Sequence, residues 1–340
     1  MSEREYIVTL NKGVDYTQFN QEMISSTGAG DIPNRTVDVA DAREKSTRNT
    51  HYALTDAEAQ ALRQDARVTD VQLRPDLRDD IEIGLTATQV RDFSKSIAES
   101  GNRTDWGKIR HSFVENIYGT GNSLTNYSRP YSMDGTGVDI VIQDSGLQID
   151  HPEFNDANGV SRVQQIDWYA ASGITGSQSA SHYGDTDGHG THCAGTATGL
   201  NFGWASNARI YSVKVGGLEG PGDTGGITIS TVFDVIKAWH QNKPVDPNTG
   251  FKRPTIVNAS WGYSTSIGSG ITSIVYRGTT YSSGNDSSFN STPNSHMRDT
   301  YGFYPYYRSG NYRFPVRVAS VDADVEDCVD AGVHVCIAAG

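Results

Sequence analysis

Four short apolar runs, with helix-like stretches between them, constrain the fold of this chain more than any other feature. Gly137-Val138-Asp139-Ile140-Val141-Ile142, Ile210-Tyr211-Ser212-Val213-Lys214-Val215, Thr255-Ile256-Val257-Asn258-Ala259 and Val333-His334-Val335-Cys336-Ile337-Ala338 are rich in β-branched residues. Strands buried on both faces of a parallel sheet read this way. Residues 229–240 and 321–331 carry the apolar spacing of helices. Strands alternating with helices predict an α/β fold built on a parallel, doubly wound sheet. In such sheets, ligands and catalytic groups gather at the carboxyl ends of the strands.

A different pattern precedes these runs. Tyr6-Ile7-Val8-Thr9-Leu10 reads as a strand, and residues 15–25 as a short helix with Phe19 and Met23 four apart on one face. A second helix is expected after Leu54, with Thr55 or Asp56 as its cap and Ala57, Ala59, Ala61 and Leu62 favouring it. Val68-Thr69-Asp70-Val71-Gln72-Leu73 alternates like an edge strand. Residues 1–77 therefore form a small α+β unit of their own. Residues 78–104 are polar and mixed, and they read as a connector holding one helix opened by the capping pattern Thr86-Ala87-Thr88-Gln89. Residues 105–340 hold the parallel sheet.

The bulk composition excludes several partners. The 340 residues include 28 basic and 40 acidic ones, a net charge of −12. Affinity for nucleic-acid phosphates comes mainly from Lys and Arg, so no nucleic-acid partner is expected. The acidic group Asp322, Asp324, Glu326 and Asp327 reads as a solvated face. No apolar run approaches membrane-spanning length. The start, Met1-Ser2-Glu3-Arg4-Glu5-Tyr6, has neither a basic nor an apolar leader region, so no signal peptide is expected. The location is left open, a cytoplasmic or virion-associated one being favoured over classical secretion. Three cysteines, Cys193, Cys328 and Cys336, cannot all pair, and Cys336 reads as a small core hydrophobe.

The chemistry is concentrated in Asp187-Gly188-His189-Gly190-Thr191-His192-Cys193-Ala194-Gly195. A histidine between glycines, followed by small residues, suits an imidazole standing unobstructed at a helix start. The run resembles the histidine motif of the subtilisin-like serine proteases, in particular the proteinase K branch, where a cysteine also stands four residues on. At the end of the first strand, Gln143-Asp144-Ser145-Gly146, continuing to Asp150-His151-Pro152-Glu153-Phe154, resembles the aspartate motif of that family. The resemblance implies that Asp144 is the catalytic acid and His189 the general base, in the order Asp, His, Ser. The interval between them is longer than usual for the family, which an inserted polar loop at residues 170–181 accounts for. A metal reading of His182, Asp185, Asp187, His189 and His192 lacks the glutamate of the His-Glu-x-x-His pattern, so no metal site is assigned.

Further expectations follow from the resemblance. Asn258-Ala259-Ser260-Trp261-Gly262 is similar to the segment lining the pocket for the residue before the scissile bond, so Ser260, Trp261 and Gly262 are expected to bind substrate. A peptide can add there as an extended strand. Gly220, Pro221 and Gly222 would supply the opposite wall. No cofactor is implied with certainty; calcium is compatible with the family, but no site for it can be located. Residues 1–77 resemble the inhibitory propeptides of these enzymes, implying a ferredoxin-like unit that acts as an intramolecular inhibitor, with a processing site in the connector. Asp105-Trp106-Gly107-Lys108-Ile109-Arg110 resembles the start of a mature enzyme.

Residues 263–320 depart from the family pattern. They are rich in Ser, Gly, Asn and Tyr, and are read either as a partner-binding element or as a surface insertion with local hairpins. No Gly-Thr-Ser-x-Ala segment occurs, and Ser145, Ser260 and Ser269 lie in the wrong context to replace a nucleophile. Gly340 falls where the oxyanion asparagine would follow. The expectation is a serine endopeptidase proenzyme whose sheet is incomplete and whose serine lies outside these residues. A non-catalytic peptide-binding pseudoprotease and one half of a split enzyme are the alternatives.

Overall fold

The apolar run at residues 6–10 forms the middle of a first sheet. β1 (Arg4–Leu10) leads into α1 (Tyr16–Ile24), where the Asp15 carboxylate caps the helix by accepting from Gln18 N at 2.9 Å. Phe19 and Met23, one turn apart, point into the core as their spacing predicts. There follow β2 (Val39–Asp41), β3 (Asn49–Leu54), α2 (Asp56–Leu62) and β4 (Val68–Leu73). The sheet order is β2-β3-β1-β4, every pairing antiparallel, so β4 lies at the edge as its alternation suggested. Tyr6, Val8, Leu10, Phe19, Tyr52, Leu54, Leu62 and Val71 bury together beneath it. After a single 3-10 turn at Pro75–Leu77 comes a strand that the sequence did not announce, β5 (Glu82–Leu85).

The second region holds the parallel strands. β6 (Asp139–Asp144) is buried along its whole length. β7 (Val163–Gln164), α3 (Trp168–Ser172), α4 (His189–Thr198), β8 (Arg209–Lys214), α5 (Ile229–Asn242) and β9 (Thr255–Ala259) follow. Asp139 anchors the start of β6 through buried ion pairs to Lys243 at 2.8 Å and Arg253 at 2.7 Å. The expected insertion at 170–181 starts on α3, whose Trp168 is fully buried and donates its indole N–H to Ser212 O at 2.8 Å. Trp239 of α5 stacks on Trp168 at a centroid distance of 5.2 Å and on Tyr211 at 4.6 Å, fixing that helix against the sheet.

β10 (Trp261–Ile267), β11 (Ser273–Tyr276), β12 (Thr279–Ser282), β13 (Tyr306–Arg308) and β14 (Asn311–Pro315) carry the stretch whose role was left open. It contains the hairpins β11–β12 and β13–β14, and its sheet runs β13-β14-β10-β5. The segment at 82–85 therefore lies antiparallel on β10, with Gly84 opposite Gly262 and Leu85 opposite Trp261. α6 (Ala319–Asp330) and β15 (His334–Ile337) complete the sequence of elements. β15 joins the parallel sheet, whose order is β15-β9-β6-β8-β7. An α/β fold with a parallel sheet is what the alternation predicted.

The computed structural model describes residues 2–25, 33, 35–85, 133–219, 223, 225–267, 273–276, 279–282, 306–308 and 311–338. They form two units, one of Met1–Thr88, Trp261–Asp327 and Ala338–Gly340, the other of Gln89–Ser260 and Cys328–Ile337. The helix expected after Thr86 and the segment at 105–110 lie outside the described residues. Among those described, no helix is long and apolar enough to cross a membrane.

Two expectations are corrected. The acidic group on α6 is not a solvated face throughout, because Asp324 and Asp327 are buried. Within the first unit, Asp324 accepts from Arg43 Nη2 at 3.0 Å and Asn49 Nδ2 at 2.7 Å, while Asp327 accepts from Thr47 N at 3.2 Å and Thr47 Oγ1 at 3.0 Å. Partners remote in sequence, which a local reading could not supply, make that burial tolerable. Cys336 is exposed rather than buried, since β15 is the outer strand of the described sheet; all three cysteines are free thiols.

Candidate active site

The carboxyl end of β6 and the amino end of α4 bring two expected residues together. Asp144 is the last residue of β6, and His189 is the first helical residue of α4. His189 Nδ1 lies 2.7 Å from Asp144 Oδ1, and both side chains are buried. With Asp144 ionised, Nδ1 must be the donor, which leaves Nε2 as the free basic nitrogen. Asp144 Oδ1 also accepts from Ser145 N at 2.7 Å, so the carboxylate cannot rotate without losing a second bond.

The glycines flanking the histidine have separate physical roles. Gly188 caps the helix at φ 87°, a left-handed conformation that a side chain disfavours. Gly190 packs against the turn after β6, where an added Cβ would stand 2.2 Å from Gly146 O and 3.1 Å from Asp144 Cβ. The helix start can approach the strand end this closely only because no side chain intervenes. Cys193, one turn beyond His189, places its sulfur 3.7 Å from Nδ1 and 4.0 Å from Nε2.

Charge around the ring is asymmetric. Burial lowers the His189 pKa, but the Asp144 carboxylate and the Cys193 sulfur outweigh it, and the imidazole is held above its ordinary value. His182 shows the opposite balance: burial holds its pKa low, and its Nδ1 has no partner among the described residues. The five residues weighed as metal ligands do not converge. His182 sits against Ser212 O, Asp185 is bonded to the start of α4, and His192 is exposed. Among the described residues, the cluster tight enough to hold a metal ion is Asp144, His189 and Cys193, with ligand atoms within 4.8 Å of one another. A thiol and an imidazole together suit a soft cation rather than calcium, which takes oxygen ligands.

The expected substrate-binding residues are distributed as follows. Ser260 follows β9, whose Ala259 is in register with Gln143, so it emerges at the same sheet end as Asp144. Its hydroxyl accepts from Asn258 Nδ2 at 3.0 Å. Trp261 and Gly262 open β10, where Trp261 is buried and stacks edge-on to Tyr263 at 6.1 Å. Gly220, Pro221 and Gly222 lie outside the described residues. The sequence reading missed Ser145 and Asp185 as supports of the histidine. The available signal was an acidic residue three positions before the cap glycine.

Residues 135–334 match the model of the subtilase family. A cuticle-degrading serine protease of Orbilia oligospora is 30% identical over 144 residues, covering 41% of this chain and 32% of that one. Subtilisin-like protease 2 of Pseudogymnoascus destructans is 34% identical over 134 residues, covering 39% and 28%. The matched segments thus span between 20% and 32% of the length of such curated relatives. Among solved structures, the epidermin leader peptide processing serine protease of Staphylococcus aureus is aligned over 100% of this chain and 60% of its own, at 12% identity and a TM-score of 0.42.

Proposed function

The chain belongs to the subtilase family, and on that footing we propose that it is the front part of a serine endopeptidase made as a proenzyme. The observation that carries this reading is the buried 2.7 Å bond between Asp144 and His189 at the junction of β6 and α4. A serine hydroxyl is a weak nucleophile until a neighbouring base takes its proton. Asp144 holds the Nδ1–H tautomer, so Nε2 of His189 accepts the proton and later returns it to the leaving amine. Asp144 then stabilises the imidazolium formed between those steps. The serine itself is assigned to sequence following Gly340.

The substrate is a polypeptide bound as an extended strand beside Ser260, Trp261 and Gly262. In support, the chain's own residues 82–85 pair antiparallel with Trp261–Ser264. The βαββαβ order of residues 4–73 and its spatial order β2-β3-β1-β4 support a ferredoxin-like propeptide. In this reading residues 1–77 are an intramolecular inhibitor, residues 78–104 the connector that is cut and residues 105–340 the enzyme portion.

The test is expression of the coding sequence extended past the codon for Gly340. The longer protein should be labelled by a serine-directed fluorophosphonate, and Asp144→Asn should lower turnover by about 10⁴-fold. An extended protein that takes no label, or one whose turnover survives Asp144→Asn, overturns the proposal.

A further inference from the structure

The Asp144–His189 bond joins two elements separated by a long excursion of the chain, and neither residue by itself fixes the distance between them. The structure assigns that task to Asp185: we infer that it is the positioning residue that locks the start of α4 against the end of β6. This inference rests on the reading of Asp144 and His189 as an acid–base pair.

The geometry is a closed ring of hydrogen bonds. Asp185 Oδ1 accepts from Ser145 Oγ at 2.8 Å and from Gly188 N at 2.9 Å. Oδ2 accepts from Thr191 N at 2.8 Å and from the Thr191 hydroxyl. Ser145, its proton committed to Asp185, accepts from Gly190 N at 2.9 Å. Ser145 is the neighbour of Asp144, and Gly190 is the neighbour of His189. One carboxylate therefore grips the residues adjoining both members of the pair.

Asp185 also supplies what the helix lacks. The cap residue of α4 is a glycine with no side chain to satisfy the first amides. Asp185 takes two of those amides itself and a third through Ser145, and places an anion at the positive end of the helix. Burial pushes its pKa up, yet the bonds from Thr191, Gly188 and Ser145 prevail and hold it below the usual carboxylate value, so it remains charged. Asp185 does not touch the imidazole. Its influence on His189 is transmitted by position, and a displacement well under 1 Å is enough to spoil a catalytic pair.

The loop carrying Asp185 is held in turn. Glu219 accepts from Thr186 N at 2.6 Å and Asp187 N at 3.1 Å, and is paired with the buried Lys214, whose ammonium also donates to Gly184 O at 3.0 Å. The amides on either side of Asp185 are thus fixed independently of α4, so the carboxylate pulls on α4 from a rigid support.

The experiment follows the His189 ring by NMR in the 340-residue chain carrying labelled histidine, through its titration and its low-field Nδ1–H resonance. Asp185→Asn keeps one acceptor and loses the charge. It should abolish the low-field resonance and lower the His189 apparent pKa by about one unit. Glu153→Gln is the control, since Glu153 holds Asn201 at the far end of α4; it should lower the thermal midpoint without moving the His189 titration. Asp144→Asn tests the pair itself, and survival of the resonance there overturns that reading. Loss of the signal in Asp144→Asn but not in Asp185→Asn overturns the present inference alone. Should Asp185→Asn fail to fold, Ser145→Ala, which removes one link of the ring, should shift the titration in the same direction by a smaller amount; an unchanged titration overturns the inference.

Discussion

Arg43 and Asp324 form an ion pair at 3.0 Å across 281 positions of sequence, and each side chain keeps only 2% of its surface exposed. Arg43 is also, among the described residues, the non-glycine residue with a left-handed backbone, at φ 47°. That conformation disfavours the folded state by about 1–2 kcal/mol. The pair and the bond from Arg43 N to Asp41 Oδ1 at 2.9 Å hold the chain in it.

Removing one partner of a buried pair strands the other charge. Arg43→Met should therefore destabilise the first unit by about 3–5 kcal/mol. Adding Asp324→Asn, which keeps an acceptor for Asn49, should recover much of that loss. Denaturant unfolding of the single and double variants reads this directly; a double variant no more stable than Arg43→Met would contradict it.

Glu58 closes the amino end of α2. Its carboxylate accepts from Thr55 N at 2.8 Å and pairs with Arg35 at 2.6 Å, while Thr55 Oγ1 caps Glu58 N. The Arg35 bonds, aided by Thr55 and opposed by burial, hold its pKa at about 2. The folded value is depressed, so the stabilisation is complete above the unfolded value of 4.5 and is lost as pH falls through about 2. Glu58→Gln should reduce stability by about 1–2 kcal/mol near neutrality. The gap between variant and parent should close in strong acid, and a gap that persists there would count against the pairing.

His51 titrates in the opposite sense. It is buried in β3, with Nδ1 donating to Glu5 at 2.6 Å and Nε2 without a partner among the described residues. Burial is the leading influence and lowers its pKa, with the Glu5 bond opposing it. The unfolded ring then gains a proton first, so stability of the first unit is greatest above the ordinary value of 6.5 and falls as the pH drops below it. Protection factors of the β1 and β3 amides, taken relative to the intrinsic exchange rate at each pH, should fall as the pH drops through that range in the parent. In His51→Gln, whose amide does not titrate, this component should disappear.

Gly190 tests the close approach of helix and strand. Gly190→Ala places a methyl 2.2 Å from Gly146 O, a clash with backbone that only a shift of α4 relieves. We expect a loss of about 1–3 kcal/mol together with a longer Asp144–His189 separation. A crystal structure of the variant with the 2.7 Å bond unchanged would refute this.

The residues of the pair were legible through the resemblance of two short motifs to those of a known family, and such motifs are local in sequence. A histidine between two glycines and an aspartate ending a β-branched run are patterns of adjacent positions, and the parallel strands β6, β8 and β9 followed from composition alone. What escaped depended on remote partners. Asp324 looks like any surface acid until Arg43 and Asn49 are brought to it. β5 is four residues containing a glycine, too short and too weakly patterned to announce a strand without β10 beside it. Asp185 was weighed as a metal ligand because sequence lists its carboxylate but not the amides that occupy it.

The distance in sequence between Arg43 and Asp324 also bears on how the molecule is born. Residues 4–73 contain a complete four-stranded sheet and can collapse as soon as they leave the ribosome. The buried pair between Arg43 and Asp324 cannot form until α6 has been translated. At about 5–20 residues per second, that wait is on the order of tens of seconds. Seating Arg43 on Asp324 therefore comes after the first sheet has had time to collapse, as a separate and later step of vectorial folding.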